Sequence, residues 1–268
     1  LIDEKFNSLV VDTHLSAIEA GAEVILTNTF TTRRVRMVQN QVGDLFQFAN
    51  QKACELAIKA RELSKKNILI AGSLPAQNDT YQADKRDQNI IEKDFFDQAS
   101  IINPYIDFFY LDVISSGREV EVALNVIDKL NKPVLVGLHL KKNGMLPSGE
   151  TITEIVKKYK NTKWLGVVSA CVSLEIIEQT VDELKSLDIP FGFKANLWAV
   201  EEPLPVHRFN TAGYNEIGKN PNITLGKREI TGKVFCQFAK KISKKGATIL
   251  GGCCETDSSH IKELSKLK

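Results

Sequence analysis

Three cysteines carry the clearest chemical signal in this sequence. Cys253 and Cys254 are adjacent and follow Gly251-Gly252, and Cys171 comes directly after an apolar run. Thiolates are soft donors that favour Zn²⁺ over Mg²⁺ or Ca²⁺. Three of them on one rim suit a tetrahedral ion with a position left open, the arrangement of a catalytic site and not of a structural one. A substrate thiol in that open position would lose its proton at neutral pH, where a free thiol of pKa about 8.5 is mostly protonated. The plainer reading makes each cysteine a small core residue. The doublet behind two glycines resists that reading, because glycine lets the backbone turn sharply and approach a site closely. Cys54 and Cys236 fall inside helical segments and read as core or surface thiols.

Short β-branched runs alternate with amphipathic segments, the pattern of parallel strands joined by crossover helices. Strands are expected at Ala22 to Asn28, Asn67 to Ser73, Ile106 to Asp112, Pro133 to His139, Trp164 to Ser169, Pro190 to Ala195 and Ala247 to Gly252. Helices are expected at Asn7 to Ala20, Gly43 to Lys66, Ile90 to Asn103, Arg118 to Leu130, Thr151 to Lys160, Leu174 to Leu187, Ile230 to Lys245 and Ser258 to Lys268. The first helix has no strand before it. The fold class is therefore α/β, a TIM-type (β/α)8 barrel lacking its first strand in the sequence given, with residues 1–268 as a single domain. An irregular segment from Asn196 to Leu225 interrupts the rhythm, and a loop of that length is usually functional or mobile.

In such a barrel the chemistry sits at the carboxyl ends of the strands. Those ends carry Thr27-Asn28-Thr29, Ser73, Asp112, His139, Cys171, Asn196 and Cys253-Cys254. Thr27, Asn28, Thr29, Ser73 and Asn196 offer hydrogen bonds to a polar substrate or to neighbouring backbone. Asp112 suits a substrate ammonium, or equally the cap of the following loop. His139 reads as a structural histidine more readily than as a ligand or acid/base. Thirty-five Lys plus Arg against 33 Asp plus Glu leave a net charge of +2, which gives no field to gather nucleic acid or an anionic membrane. No apolar run approaches the roughly 18 residues that span a bilayer, and no signal-peptide pattern opens the chain. A cytoplasmic location with reduced thiols is expected, since five cysteines do not make a secreted disulfide framework.

Together these residues resemble the homocysteine S-methyltransferase family. Gly251-Gly252-Cys253-Cys254-Glu255-Thr256 with His260-Ile261 is similar to the GGCC…HI signature that ends such domains. His14 and the run Ala20-Gly21-Ala22-Glu23-Val24-Ile25-Leu26-Thr27-Asn28-Thr29-Phe30 resemble the family's H…AGA-x-x-I-x-T-N-T-[FY] stretch. Ala71-Gly72-Ser73-Leu74-Pro75, the Gly144…Ser148-Gly149-Glu150 turn and Ala195-Asn196 also fit. The resemblance implies a homocysteine-binding barrel with Zn²⁺ held by Cys171, Cys253 and Cys254, and homocysteine thiolate as fourth ligand. It also implies methionine as product, formed by in-line displacement from a sulfonium, quaternary ammonium or folate donor, with S-methylmethionine or betaine favoured. Small-molecule substrates are the expected partners, and a homo-oligomer is left open.

Three departures alter that pattern. Nothing before Asn7 supplies the family's opening Asp-Gly motif, whose acid helps bind the homocysteine amino group. The family's Glu-Thr appears as Asp112-Val113, and Ser169-Ala170 precede Cys171 in place of Gly-x-Asn. They leave room for a different thiol or selenol acceptor, or for a barrel that binds zinc or an amino acid without turnover. Trp198, Phe209 and Tyr214 could surround a methylated cation through cation–π contact, or pack on the rim.

Overall fold

The computed structural model describes residues 1–161, 163–203 and 225–268. Seven parallel strands run in the order β1-β2-β3-β4-β5-β6-β7. They are β1 (Val24–Leu26), β2 (Leu69–Pro75), β3 (Phe108–Ile114), β4 (Val134–Leu138), β5 (Trp164–Val172), β6 (Phe191–Ala195) and β7 (Ile249–Gly252). All seven expected strands form, and β2, β3 and β5 run past their expected ends. The covering helices are α1 (Asn7–Glu19), α2 (Arg34–Gln39), α3 (Phe46–Ser64), α4 (Gln88–Ile102), α5 (Gly117–Leu130), α6 (Ile152–Tyr159), α7 (Leu174–Lys185), α8 (Gly232–Ser243) and α9 (Ser258–Leu264).

Period-two alternation decides which side chains enter the barrel. Ala71, Phe108, Tyr110 and Val168 pack together inside, with Leu26, Leu135 and Ile249 against them. Their neighbours Ile70, Phe109, Val136, Val167 and Phe193 point outward into the main core beneath the helices. Phe193 meets the edges of Phe235 and Phe238 of α8 at ring distances of 6.2 and 5.7 Å. Each such buried side chain contributes roughly 2 kcal/mol.

Helix α2 was not expected. Its sequence lacks a long apolar period, and it is held by tertiary contacts: Met37 is buried, and Arg34 stacks on Phe46 at 4.1 Å and pairs with Asp97 at 2.7 Å. The expected helix from Gly43 begins instead with a 3₁₀ turn at Gly43–Leu45. Gly21 ends the first helical segment in the left-handed region, φ +104°, as its position there implied.

Among the described residues β1 pairs with β2 alone and β7 with β6 alone, so the curled sheet is open between β1 and β7. A cavity of about 610 Å³ occupies that side, lined by both strand edges and by Leu26, Tyr110 and Lys194 of the barrel interior. At one end the gap is bridged: Lys268 Nζ donates to Gly21 O at 2.8 Å and pairs with Glu23 at 3.3 Å. No described helix is long and apolar enough to cross a membrane.

Candidate metal centre

Strict alternation would point Ala170 and Cys171 to opposite faces of β5. A bulge resolves this: the β5–β6 register shifts between Ala170 and Val172, and Cys171 takes φ +52°. A matching irregularity lies in β3, where the register with β4 shifts between Leu111 and Ile114 and Val113 takes φ +63°. Left-handed backbone at a non-glycine residue is costly, more so at β-branched Val113. The two strained residues pack in one cluster with Ala170, Phe30, Tyr81, Cys253 and Cys254.

The doublet reaches the same place after β7. Cys253 N–H donates to Ala195 O at 2.7 Å, and Leu197 N–H donates to Cys254 O at 3.0 Å. Thr256 folds back so that its hydroxyl donates to Cys253 O at 2.7 Å. A Cβ at Gly252 would meet Thr256 Oγ1 at 2.2 Å, so this turn needs the glycine. His260 locks α9 from behind, its Nε2 2.8 Å from Ile230 O and its Nδ1 2.9 Å from Asp257.

The sulfurs of Cys171, Cys253 and Cys254 all lie within 4.8 Å of one another, with Cys171 to Cys254 at 3.6 Å and Cys253 to Cys254 at 3.9 Å. Tetrahedral Zn–S bonds of about 2.3 Å set sulfurs about 3.8 Å apart, so the donor set fits zinc. Hydrogen bonds from the Cys253 and Cys254 thiols hold Cys171 well below the ordinary thiol range against its burial, with Tyr81 and Lys194 assisting. The bond to Cys171 pushes Cys253 up to about 12. Tyr81, whose hydroxyl is 3.2 Å from Cys171 Sγ, is raised by burial and stays protonated.

The sequence-selected polar residues divide into two groups. Thr27, Thr29, Ser73 and Asp112 form one buried chain: Thr27 Oγ1 to Thr29 Oγ1 at 2.8 Å, Thr29 Oγ1 donating to Ser73 O at 2.6 Å, and Ser73 Oγ donating to Asp112 Oδ2 at 2.9 Å. Asn196 sits with the thiols, its Nδ2 donating to Cys171 O at 2.7 Å. Asn28 is exposed on the same rim. His139 is buried, 3.4 Å from Ala170 O, and burial pushes it down to about 4, which keeps it neutral. Trp198 is buried against Leu225, Tyr81 and Cys254, while Phe209 and Tyr214 lie outside the described residues. Cys54 is a core thiol, pushed up to about 12 by burial, and Cys236 lies in α8.

Sequence reasoning passed over Lys194, Tyr81 and Arg33. Lys194 Nζ lies 2.7 Å from Asp112 Oδ1 and 5.0 Å from the Tyr110 ring centre. Its signal was a lysine at an inward position of a strand. Tyr81 left none, since a loop tyrosine has no period. Arg33 is fully buried, donating to Phe30 O at 3.0 Å and Thr80 Oγ1 at 3.2 Å, and burial pushes it down to about 10.

A parallel α/β sheet of barrel curvature thus brings three thiols together at its carboxyl rim, a donor set that could hold a metal ion. The chain belongs to the homocysteine S-methyltransferase family, whose sequence profile matches residues 2–267. It is similar to betaine–homocysteine S-methyltransferase 1 of Danio rerio, 26% identical, the match covering 94% of this chain and 63% of the relative. It is also similar to S-methylmethionine–homocysteine S-methyltransferase BHMT2 of Pongo abelii, 25% identical over 94% of this chain and 67% of the relative. The chain thus spans about two thirds of the length of these relatives. In fold it matches the metallated form of the homocysteine methyltransferase MmuM from Escherichia coli, TM-score 0.74 at 16% identity, covering 100% of this chain and 90% of that one.

Proposed function

We propose that this protein is a zinc-dependent methyltransferase in which residues 1–268 act as one domain, moving a methyl group from a small sulfonium or quaternary ammonium donor to the thiol of homocysteine. The observation that carries this reading is the convergence of three sulfurs within 4.8 Å at the carboxyl rim. The names of the relatives support the acceptor and point to betaine or S-methylmethionine as donor, and the metallated form of MmuM supports a metal at a site of this fold.

Cys171, Cys253 and Cys254 would hold the ion, with Tyr81 and Asn196 fixing Cys171 from either side. Zinc bound there supplies the positive charge that keeps an acceptor thiol deprotonated at neutral pH. The thiol proton passes to solvent, and the sulfur lone pair forms a bond to the donor methyl carbon. The bond from that carbon to the donor sulfur or nitrogen breaks, and its electron pair stays on the donor. Methionine leaves with dimethylglycine, or with a second methionine, according to the donor. Thr27, Thr29, Ser73 and Asp112, with Asn28 exposed beside them, are the polar groups assigned to the amino-acid acceptor, and Trp198, packed against Cys254, is the aromatic assigned to a methylated cation. A centre of free thiols functions best in a reducing compartment, which favours the cytoplasm.

Elemental analysis of protein purified under reducing conditions, on wild type and Cys253→Ala, tests the metal. Methionine formation from homocysteine with betaine or S-methylmethionine tests the chemistry. The expected result is near-stoichiometric zinc lost in the variant together with turnover on one donor; wild type without zinc would sink the mechanism.

A further inference from the structure

Tyr81 puts its hydroxyl 3.2 Å from Cys171 Sγ while its own backbone stands in the left-handed region, φ +69°, a costly conformation for an aromatic residue that the surroundings must enforce. The loop that carries it is anchored at both ends. After β2, Gln77 Nε2 donates to Pro75 O at 2.8 Å and to Gln98 Oε1 of α4 at 2.9 Å. Before α4, the Arg86 guanidinium pairs with Asp84 at 2.7 Å and with Asp94 at 2.8 Å, and Arg118 of α5 donates to Arg86 O at 2.8 Å. Between these anchors, the stretch leading into Tyr81 is met from the β1 loop by Arg33.

Arg33 divides the donors of one planar group between the two loops. Nη1 donates to Phe30 O at 3.0 Å in its own loop, while Nη2 donates to Thr80 Oγ1 at 3.2 Å and Nε to Asn78 O at 3.4 Å across the gap. The base of the side chain is fixed as well: Thr32 Oγ1 donates to Asn50 Oδ1 of α3 at 2.7 Å, and Asn50 Nδ2 donates back to Thr32 O at 3.0 Å. The guanidinium lies 5.1 Å from the Phe30 ring centre, and Phe30 packs with Tyr81 and Cys171 against the thiol cluster. Arg33 is 1% exposed, so it fills the space between the loops as part of the protein interior. Burying a cation is expensive, and what arginine offers in return over lysine is a rigid fork of five donors with fixed directions. We infer that Arg33 is a positioning residue of the metal centre: it clamps the loop after β2 to the loop after β1 and thereby holds the Tyr81 hydroxyl on Cys171.

Because this rests on the metal reading above, wild type must first bind Zn²⁺ or Co²⁺; failure there overturns that reading and the clamp with it. Arg33→Met removes the clamp, and Arg33→Lys keeps the charge without the fork. Zinc affinity, measured by competition with a chromophoric chelator, should fall about five- to tenfold in both. Thr80→Val keeps Arg33 and removes a single acceptor, so it should weaken zinc about threefold and decides the matter by itself if the Arg33 variants do not fold. In the Tyr81→Phe background, where the hydroxyl is already gone, Arg33→Met should cost less than about a further twofold. Co²⁺-loaded protein reads the sulfur directly. Losing the Tyr81 hydrogen bond makes the Cys171 thiolate a stronger donor, which moves the sulfur-to-metal charge-transfer band to longer wavelength. The Arg33 and Thr80 variants should move the band the same way as Tyr81→Phe, with no further movement when Arg33→Met and Tyr81→Phe are combined. A purely structural arginine would lower the urea midpoint and leave zinc affinity and the Co²⁺ spectrum at wild-type values, which overturns the inference. Losses that add in full to that of Tyr81→Phe overturn it too, as does complete rescue by Arg33→Lys.

Discussion

Asn196 holds Cys171 by its backbone: Nδ2 donates to the Cys171 carbonyl at 2.7 Å while Oδ1 accepts from Trp198 N–H at 3.2 Å. Cys171 stands at φ +52°, a conformation that costs a non-glycine residue about 1–2 kcal/mol. The amide therefore supports the turn that brings the sulfur among the other two. Asn196→Ala should lower zinc affinity about tenfold to a hundredfold, the usual loss for a residue that orients a ligand. Competition with a chromophoric chelator measures it, and unchanged affinity would mean that the bulge holds itself.

Tyr81 approaches the same cysteine from the opposite loop, its hydroxyl 3.2 Å from Sγ and its ring 4.6 Å from that of His139. Tyr81→Phe keeps the ring and removes one donor to the sulfur, so zinc binding should weaken by about tenfold with the fold intact. Two supports acting on one residue are not independent. In a double-mutant cycle with Asn196→Ala the zinc-binding free energies should couple by about 0.5 kcal/mol or more; strict additivity would show that the bonds act separately.

The strands were legible because each is a short apolar run between helical periods, and Cys253-Cys254 because a doublet behind two glycines has few structural uses. Cys171 was found as a strand-end residue, but the bulge that turns it inward was not, since a one-residue register shift has no compositional mark. Lys194 was visible in principle: inward alternation along Phe191–Ala195 selects it, yet candidates were sought only at the strand ends. The Asp112 partner is long range, 82 residues away, and only the curl of the sheet brings the two together. Helix α2 escaped for the same reason, being held by Phe46 and Asp97 instead of by its own sequence.

Close approach of β6 and β7 rests on Gly192, where a Cβ would stand 1.7 Å from the Ile249 carbonyl oxygen. Gly192→Ala must separate the strands that carry Lys194 and lead to Cys253, and should cost about 3 kcal/mol or more. Gly149→Ala is the comparison: φ is +104° there, but nothing lies within 4 Å, so the cost is limited to backbone strain of about 1–2 kcal/mol. Urea denaturation of both variants should rank them in that order, and equal losses would show that strand spacing is not the cause.

Glu119 of α5 is fully buried away from the thiols, with Oε2 accepting from Ser116 Oγ at 2.6 Å and from Asp84 N–H at 3.4 Å, and with Oε1 unpartnered. Burial pushes its pKa up to about 7; the Ser116 and Asp84 hydrogen bonds oppose this, as does the charge of Arg86, while the charge of Asp84 adds to it. The unfolded chain releases the same proton near pH 4.3. Between those values the native state binds more protons than the unfolded state, so this group's contribution to stability is complete below about pH 4.3 and is lost as pH rises through about 7. The loss is on the order of 3 kcal/mol. Glu119→Gln keeps the shape and removes the titration, so its advantage over wild type should grow from pH 5 to pH 8. Urea midpoints at the two pH values measure this, and a wild-type-minus-variant difference that does not change with pH would show that the carboxyl is not protonated in the native protein.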